Sequence, residues 1–131
     1  MRAKTNETSI KSSEDLVYEY FRLLNSKDIS TLLQLFDDNA VIYEPFSKSK
    51  EGLSGHGAIE PFLRVAIMAN QGLASDIEIL TPKQGVGDQE RTAIVTFHRG
   101  DKLRFLFNFE FTNNIKNNLR RRIKSLHISF L

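Results

Sequence analysis

Glu44 is the side chain of this sequence whose setting most invites chemistry. It ends the apolar run Ala40-Val41-Ile42-Tyr43 and stands immediately before Pro45, which has no backbone N–H to extend a strand ladder. Alternation along a strand from Ala40 to Glu44 puts Glu44 on the face of Ile42. If Ile42 is buried, the carboxylate points inward too. Two readings follow: desolvation raises its pKa and suits it to exchange a proton with a bound substrate, or it is a rim acid bonded to the amides of the Gly55–Gly57 loop. Tyr20, on the apolar side of a helical pattern, is a hydrogen-bond donor to a bound ligand or a core tyrosine satisfied locally. His56, between Gly55 and Gly57 and ahead of a helix, could contact a ligand at the mouth of a cavity. The three histidines share no short spacing, so no metal site is expected. No cysteine is available for thiolate ligation, disulfides or a catalytic thiol.

The elements that must position these groups read clearly. Ser12-Ser13-Glu14-Asp15 supplies caps and first-turn acids for a helix carrying Leu16, Val17, Tyr20, Phe21, Leu23 and Leu24, ending near Asn25. Asp28 caps a second helix through Phe36. The Asp38-Asn39 turn then leads to the Ala40–Glu44 strand, and Phe46 to Ser54 reads as an exposed loop. A third helix opens at Gly55-His56-Gly57, carries Ile59, Phe62, Leu63, Ala66 and Ile67, and ends near Asn70, with Pro61 in its first turn. Strands follow at Ser75–Thr81, Thr92–His98, Lys102–Thr112 and Arg121–Leu131. In the third of these, Leu103, Phe105, Phe107, Phe109 and Phe111 share one face; in the last, Leu126, Ile128 and Phe130 do. Three helices in the N-terminal half followed by strands predict an α+β domain whose helices cover the concave face of a mostly antiparallel sheet.

At 131 residues the chain is one domain, expected over 13–131 behind a flexible tail of residues 1–12. Hydrophobic residues make up 40% and charged residues 26%, which excludes intrinsic disorder. The 18 basic and 16 acidic residues nearly cancel, so neither nucleic acid nor an anionic membrane is expected as partner. With no signal-peptide-like run and no span of membrane length, a cytoplasmic location is expected. The Arg120-Arg121-Arg122 run reads as a solvated turn, and nothing in the chain matches a nucleotide or flavin motif, so no cofactor is expected.

The segment Asp37-Asp38-Asn39-Ala40-Val41-Ile42-Tyr43-Glu44-Pro45, followed by Gly55-His56-Gly57-Ala58-Ile59 and Phe62, resembles the nuclear-transport-factor-2-like superfamily in its SnoaL-like and ketosteroid-isomerase-like branch. Tyr20 to Asp28 resembles the first helix and turn of that group, and the likeness covers the chain from Leu16 onward. It implies a cystatin-like α+β cone: a strongly bent sheet wrapped around helices, with an apolar cavity at one end. In ketosteroid isomerases the acid before the proline is a general base, matched by Glu44, and an oxyanion-donating tyrosine is matched by Tyr20. The second oxyanion donor, an aspartate, falls at Phe107 here. The resemblance thus implies a cofactor-free isomerase or cyclase moving a proton next to a carbonyl, with Ile42, Phe62, Phe105, Phe107, Phe109 and Phe130 lining the cavity. The alternative is a non-catalytic module of the same fold that binds an apolar small molecule or assembles as a homodimer through the outer sheet face.

Overall fold

The computed structural model describes residues 12–47, 50–82, 85, 87–112 and 121–131. The tail expected over 1–12 lies outside the described residues except for Ser12, as does the connection over 113–120. Helix α1 (Ser13–Ser26) begins where the Ser12 hydroxyl accepts the Asp15 amide, and stops where Lys27 turns left-handed at φ 63°. It buries Leu16, Val17, Tyr20, Phe21, Leu23 and Leu24, the apolar stripe that the spacing predicts. Asp28 caps α2 (Ile29–Gln34) through the Thr31 amide.

This second helix is shorter than expected, because β1 (Phe36–Tyr43) starts at Phe36. Phe36 is fully buried and pairs with Ile123, so tertiary pairing takes from the helix a residue that periodicity assigns to it. Asp37-Asp38-Asn39 is not a turn between elements; it is an irregularity within β1. The ladder goes from Phe36 opposite Ile123 to Val41 opposite Ser125, leaving the intervening β1 residues without a matching advance on β6. The strand ends at Tyr43, one residue before Glu44. A short strand β2 (Leu53–Ser54) interrupts the expected loop and pairs antiparallel with β1.

Helix α3 (His56–Ala69) opens at Gly55 and holds Pro61 in its second turn, not its first. The four remaining strands are β3 (Ala74–Ile79), β4 (Glu90–Arg99), β5 (Asp101–Phe111) and β6 (Ile123–Phe130). Together they form a six-stranded sheet in the order β2-β1-β6-β5-β4-β3, antiparallel everywhere except between β1 and β6. The architecture is α+β, with helices on one face of a mixed, mostly antiparallel sheet. On β5 the inward residues are Phe105, Phe107, Phe109 and Phe111, all buried. The rings of Phe109 and Phe111 lie parallel with centroids 6.0 Å apart. Each buried phenylalanine contributes on the order of 2 kcal/mol of hydrophobic stabilisation, so this wall is a main source of cohesion between sheet and helices.

The end of the domain where α1 begins is closed by a polar clasp. Asp88 accepts the Ser13 amide at 3.1 Å and the Ser13 hydroxyl, while Arg91 and Arg121 reach the same carboxylate at 3.3 and 3.1 Å. Arg121 and Arg122 are therefore not a solvated turn. Arg121 is largely buried against Asp88, and Arg122 bonds the Gln34 carbonyl and the Thr112 hydroxyl. Among the described residues no helix is long and apolar enough to cross a membrane.

Candidate functional site

The other end of the domain is open. A cavity of about 300 Å³ lies between α1, α3 and the inner face of β4 and β5. Helix α1 contributes Tyr20, Phe21 and Leu24; α3 and the turn after it contribute Phe62, Val65, Ala66, Ala69, Asn70 and Leu73; the sheet contributes Phe97, Leu103, Phe105, Phe107 and Ile128. Phe46 completes the lining from the loop after β1. The volume lies at the small end of the range for ligand pockets, and the wall is almost wholly apolar.

Tyr20 is the deepest polar contribution. Its ring is held edge-on by Phe21 and Phe109 at centroid distances of 4.9 and 5.5 Å, with Phe36 at 6.2 Å and Phe107 at 6.4 Å. Only 1% of the residue is exposed, and burial pushes its pKa well above the usual tyrosine range, so the hydroxyl stays protonated and able to donate. That hydroxyl has no hydrogen-bond partner among the described residues. The one side-chain polar atom there that is both unpaired and sealed from solvent is Arg121 Nε, so Tyr20 Oη keeps access to the cavity space. Asn70 is the second polar group. Its Nδ2 donates to the Ala66 carbonyl at 2.8 Å, which closes the end of α3 and leaves Oδ1 free to accept.

The remaining expected site residues are distributed less simply. Phe62, Phe105 and Phe107 line the cavity. Ile42 and Phe109 are buried in the core beside it and do not face the opening. Phe130, on the inward parity of β6, is 60% exposed near the strand's end, where it packs against Phe46 and Phe105 outside the lining. His56 is not at the mouth. Its Nε2 lies 2.9 Å from the Phe36 carbonyl and 4.0 Å from Asp38, tying the start of α3 to the start of β1.

Glu44 differs most from expectation. Its Oε1 accepts the Phe46 amide at 2.6 Å and the Ser47 amide at 2.9 Å, so its turn partners are these and not the Gly55–Gly57 amides. Partial desolvation pushes its pKa up, but the hydrogen bonds from Ser47 and Phe46 outweigh that and hold it below the usual range. A raised pKa, expected for a carboxylate facing the phenylalanine wall, is not found. Glu44 and Tyr20 are not brought to one cavity surface. Among the lining residues outside the expected set are Phe46 and Asn70. The available signal for Phe46 was a lone aromatic in a polar loop; for Asn70 it was the helix-end position, which by itself reads only as a cap.

A second hollow, of about 470 Å³, opens along the sheet by Thr92, Asn108, Glu110, Ser125 and His127 and is much more polar. Beside it the His127 ring stacks on Tyr43 at 4.2 Å. No group of three or more metal-ligating side chains is present among the described residues.

No protein-family model and no curated protein matches the sequence. Solved structures do. An NTF2-like protein of unknown function from Cytophaga hutchinsonii is 14% identical with a TM-score of 0.62, over 94% of this chain and 92% of that one. The epoxide hydrolase/cyclase-like enzyme SalBIII of pyran ring formation in salinomycin is 18% identical with a TM-score of 0.62, over 91% and 90%. A computationally designed 17-OHP binder is 17% identical with a TM-score of 0.66, over 92% and 95%. At these identities the likeness is one of fold.

Proposed function

For a chain that has the NTF2-like fold, we propose a small-molecule-binding role, with an apolar ligand held in the cavity and one ligand acceptor oxygen received by Tyr20. The observation that carries this reading is the unpaired, protonated Tyr20 hydroxyl opening into a cavity whose wall is otherwise apolar but for Asn70. Such a donor has no partner to lose among the described residues, so it favours a ligand carbonyl or ether over a purely hydrocarbon one. The designed 17-OHP binder and SalBIII support the choice only in that one protein of similar fold binds 17-OHP and another acts in pyran ring formation. A proton-transfer reaction with Glu44 as general base requires its carboxylate at the substrate, whereas it is engaged by the amides of its own loop.

The test is calorimetric titration with cyclic enones of one, two and four fused rings, on the parent protein and on Ala66→Trp, which adds an indole to the cavity wall. Saturable binding by the parent that is lost in Ala66→Trp is expected. Absence of saturable binding, or equal binding by both, refutes the reading. Isomerisation of the same enones that disappears in Glu44→Gln would replace it with the acid–base mechanism.

We place a second copy of the chain on the outer sheet face as part of the same proposal. Ile94 opposes Leu106 across β4 and β5 on the side that carries no helix, flanked by Thr96 and Ser129. Sedimentation at micromolar concentration is expected to give a dimer; a monomer removes this element without touching the cavity reading.

A further inference from the structure

We infer that Glu44 is a positioning residue of the cavity mouth: its carboxylate holds Phe46 across the opening, and ligand passes only when that grip is released. The inference rests on the cavity being a ligand site. Phe46 lines the cavity while 63% of the residue remains exposed. Its ring contacts are Phe105 at 5.9 Å and Phe130 at 5.7 Å, and Phe130 is itself largely exposed. An aromatic side chain so poorly enclosed owes its place to its backbone more than to packing.

That backbone is held by one carboxylate. Glu44 Oε1 takes the amides of Phe46 and Ser47 at 2.6 and 2.9 Å. Bonds to an ionised acceptor are stronger than neutral ones, and Pro45 between Glu44 and Phe46 removes one degree of backbone freedom. Among the described residues no ladder bond of β1 lies beyond Tyr43. The acid at the end of the strand therefore sets where the mouth aromatic sits.

A gate changes the rates of entry and exit together, whereas a group contacting the ligand changes chiefly the rate of exit. Stopped-flow binding of the fluorescent probe 8-anilinonaphthalene-1-sulfonate separates the two. Glu44→Ala is expected to raise both association and dissociation rates by about tenfold, with Kd altered by less than about threefold; Phe46→Ala, which also removes a cavity-lining ring, is expected to raise both rates and to raise the dissociation rate more. Glu44→Gln keeps an acceptor oxygen and is expected to stay within about threefold of the parent rates. Amide exchange at Phe46 and Ser47 should accelerate in Glu44→Ala and much less in Glu44→Gln. Parent-like rates in Glu44→Ala despite faster amide exchange would make the turn merely structural and overturn the inference alone. Equal effects of Gln and Ala would also overturn it, since retention of the acceptor would then be irrelevant. Failure of the parent protein to bind the probe in its cavity would instead defeat the ligand-site reading, and this inference with it.

Discussion

Replacing Tyr20 with Phe should move stability and ligand affinity in opposite directions. The ring contacts to Phe21, Phe109, Phe36 and Phe107 are all available to a phenylalanine, so only the hydroxyl is tested. In the folded protein that hydroxyl has no partner among the described residues, whereas in the unfolded chain it is hydrated. A sealed, unpaired hydroxyl would cost about 1–3 kcal/mol; because this one reaches the cavity space, the penalty shrinks to about 0–1 kcal/mol. Tyr20→Phe is thus expected to leave urea stability unchanged or raise it by up to about 1 kcal/mol, equivalent to roughly 3–5 °C in Tm at this chain length. Binding of a carbonyl ligand should lose one neutral hydrogen bond, about 1 kcal/mol, or roughly fivefold in Kd. Urea unfolding followed by circular dichroism gives the first quantity, and calorimetric titration the second. A destabilisation of about 1 kcal/mol or more would mean the hydroxyl is a structural partner. An unchanged Kd for a carbonyl ligand would mean it does not meet the ligand.

Asp88→Ala should cost about 2–3 kcal/mol at neutral pH, because it leaves Arg91 and Arg121, 13% and 14% exposed, facing each other without their carboxylate. The parent's Asp88 is pushed up by desolvation but pulled further down by the Ser13 hydrogen bonds, by the charge of Arg121 and by Arg91, so its folded pKa lies below the unfolded value. That stability is present above the unfolded carboxylate pKa and is lost as pH falls through the folded one, discounted because the side chain is 37% exposed; urea midpoints of parent and variant should converge in acid, and a constant gap would contradict the clasp. Gly52→Ala should cost about 2–3 kcal/mol, since Gly52 has φ 79° and a Cβ there would lie 2.8 Å from Val41 Cγ1 and 2.9 Å from the Tyr43 ring. Gly57→Ala, in α3 with nothing within 4 Å of an added Cβ, should stabilise by about 0.5–1 kcal/mol, and thermal melts of the two variants shifting the same way would refute this account.

Periodicity made most of the fold legible. The α1 stripe and the β5 phenylalanine face are both local patterns, and each reappears as a buried surface. The misplaced boundaries have tertiary causes. Phe36 fits a helical stripe equally well until Ile123, far along the chain, pairs with it. Strict alternation on β6 fails near its start because Glu110 opposes Ser125 while Phe111 opposes Ile123, leaving Lys124 as an extra residue that no short-range pattern marks. The cavity was legible in part: a wall of phenylalanines and a helix tyrosine follow from spacing, whereas Asn70 and Phe46 reach it from a helix end and a loop, where side-chain direction has no period.

Glu44 shows why an acid before a proline is not in itself a base. Alternation gives its direction only while the strand continues, and β1 stops at Tyr43. Past that point the nearest unsatisfied donors decide. The amides of Phe46 and Ser47 lie within reach because Pro45 turns the chain back, and a carboxylate that accepts them becomes a weaker base than a free one. For Glu44 to take a proton from a ligand, those bonds would have to break and the side chain rotate toward the cavity, releasing the Phe46 amide through which the carboxylate holds that residue in place. Opening the mouth and freeing the carboxylate are thus the same motion. An acid–base role would therefore show itself as turnover that rises when Phe46→Ala loosens the loop, whereas the binding role predicts faster exchange of ligand and no turnover in that variant.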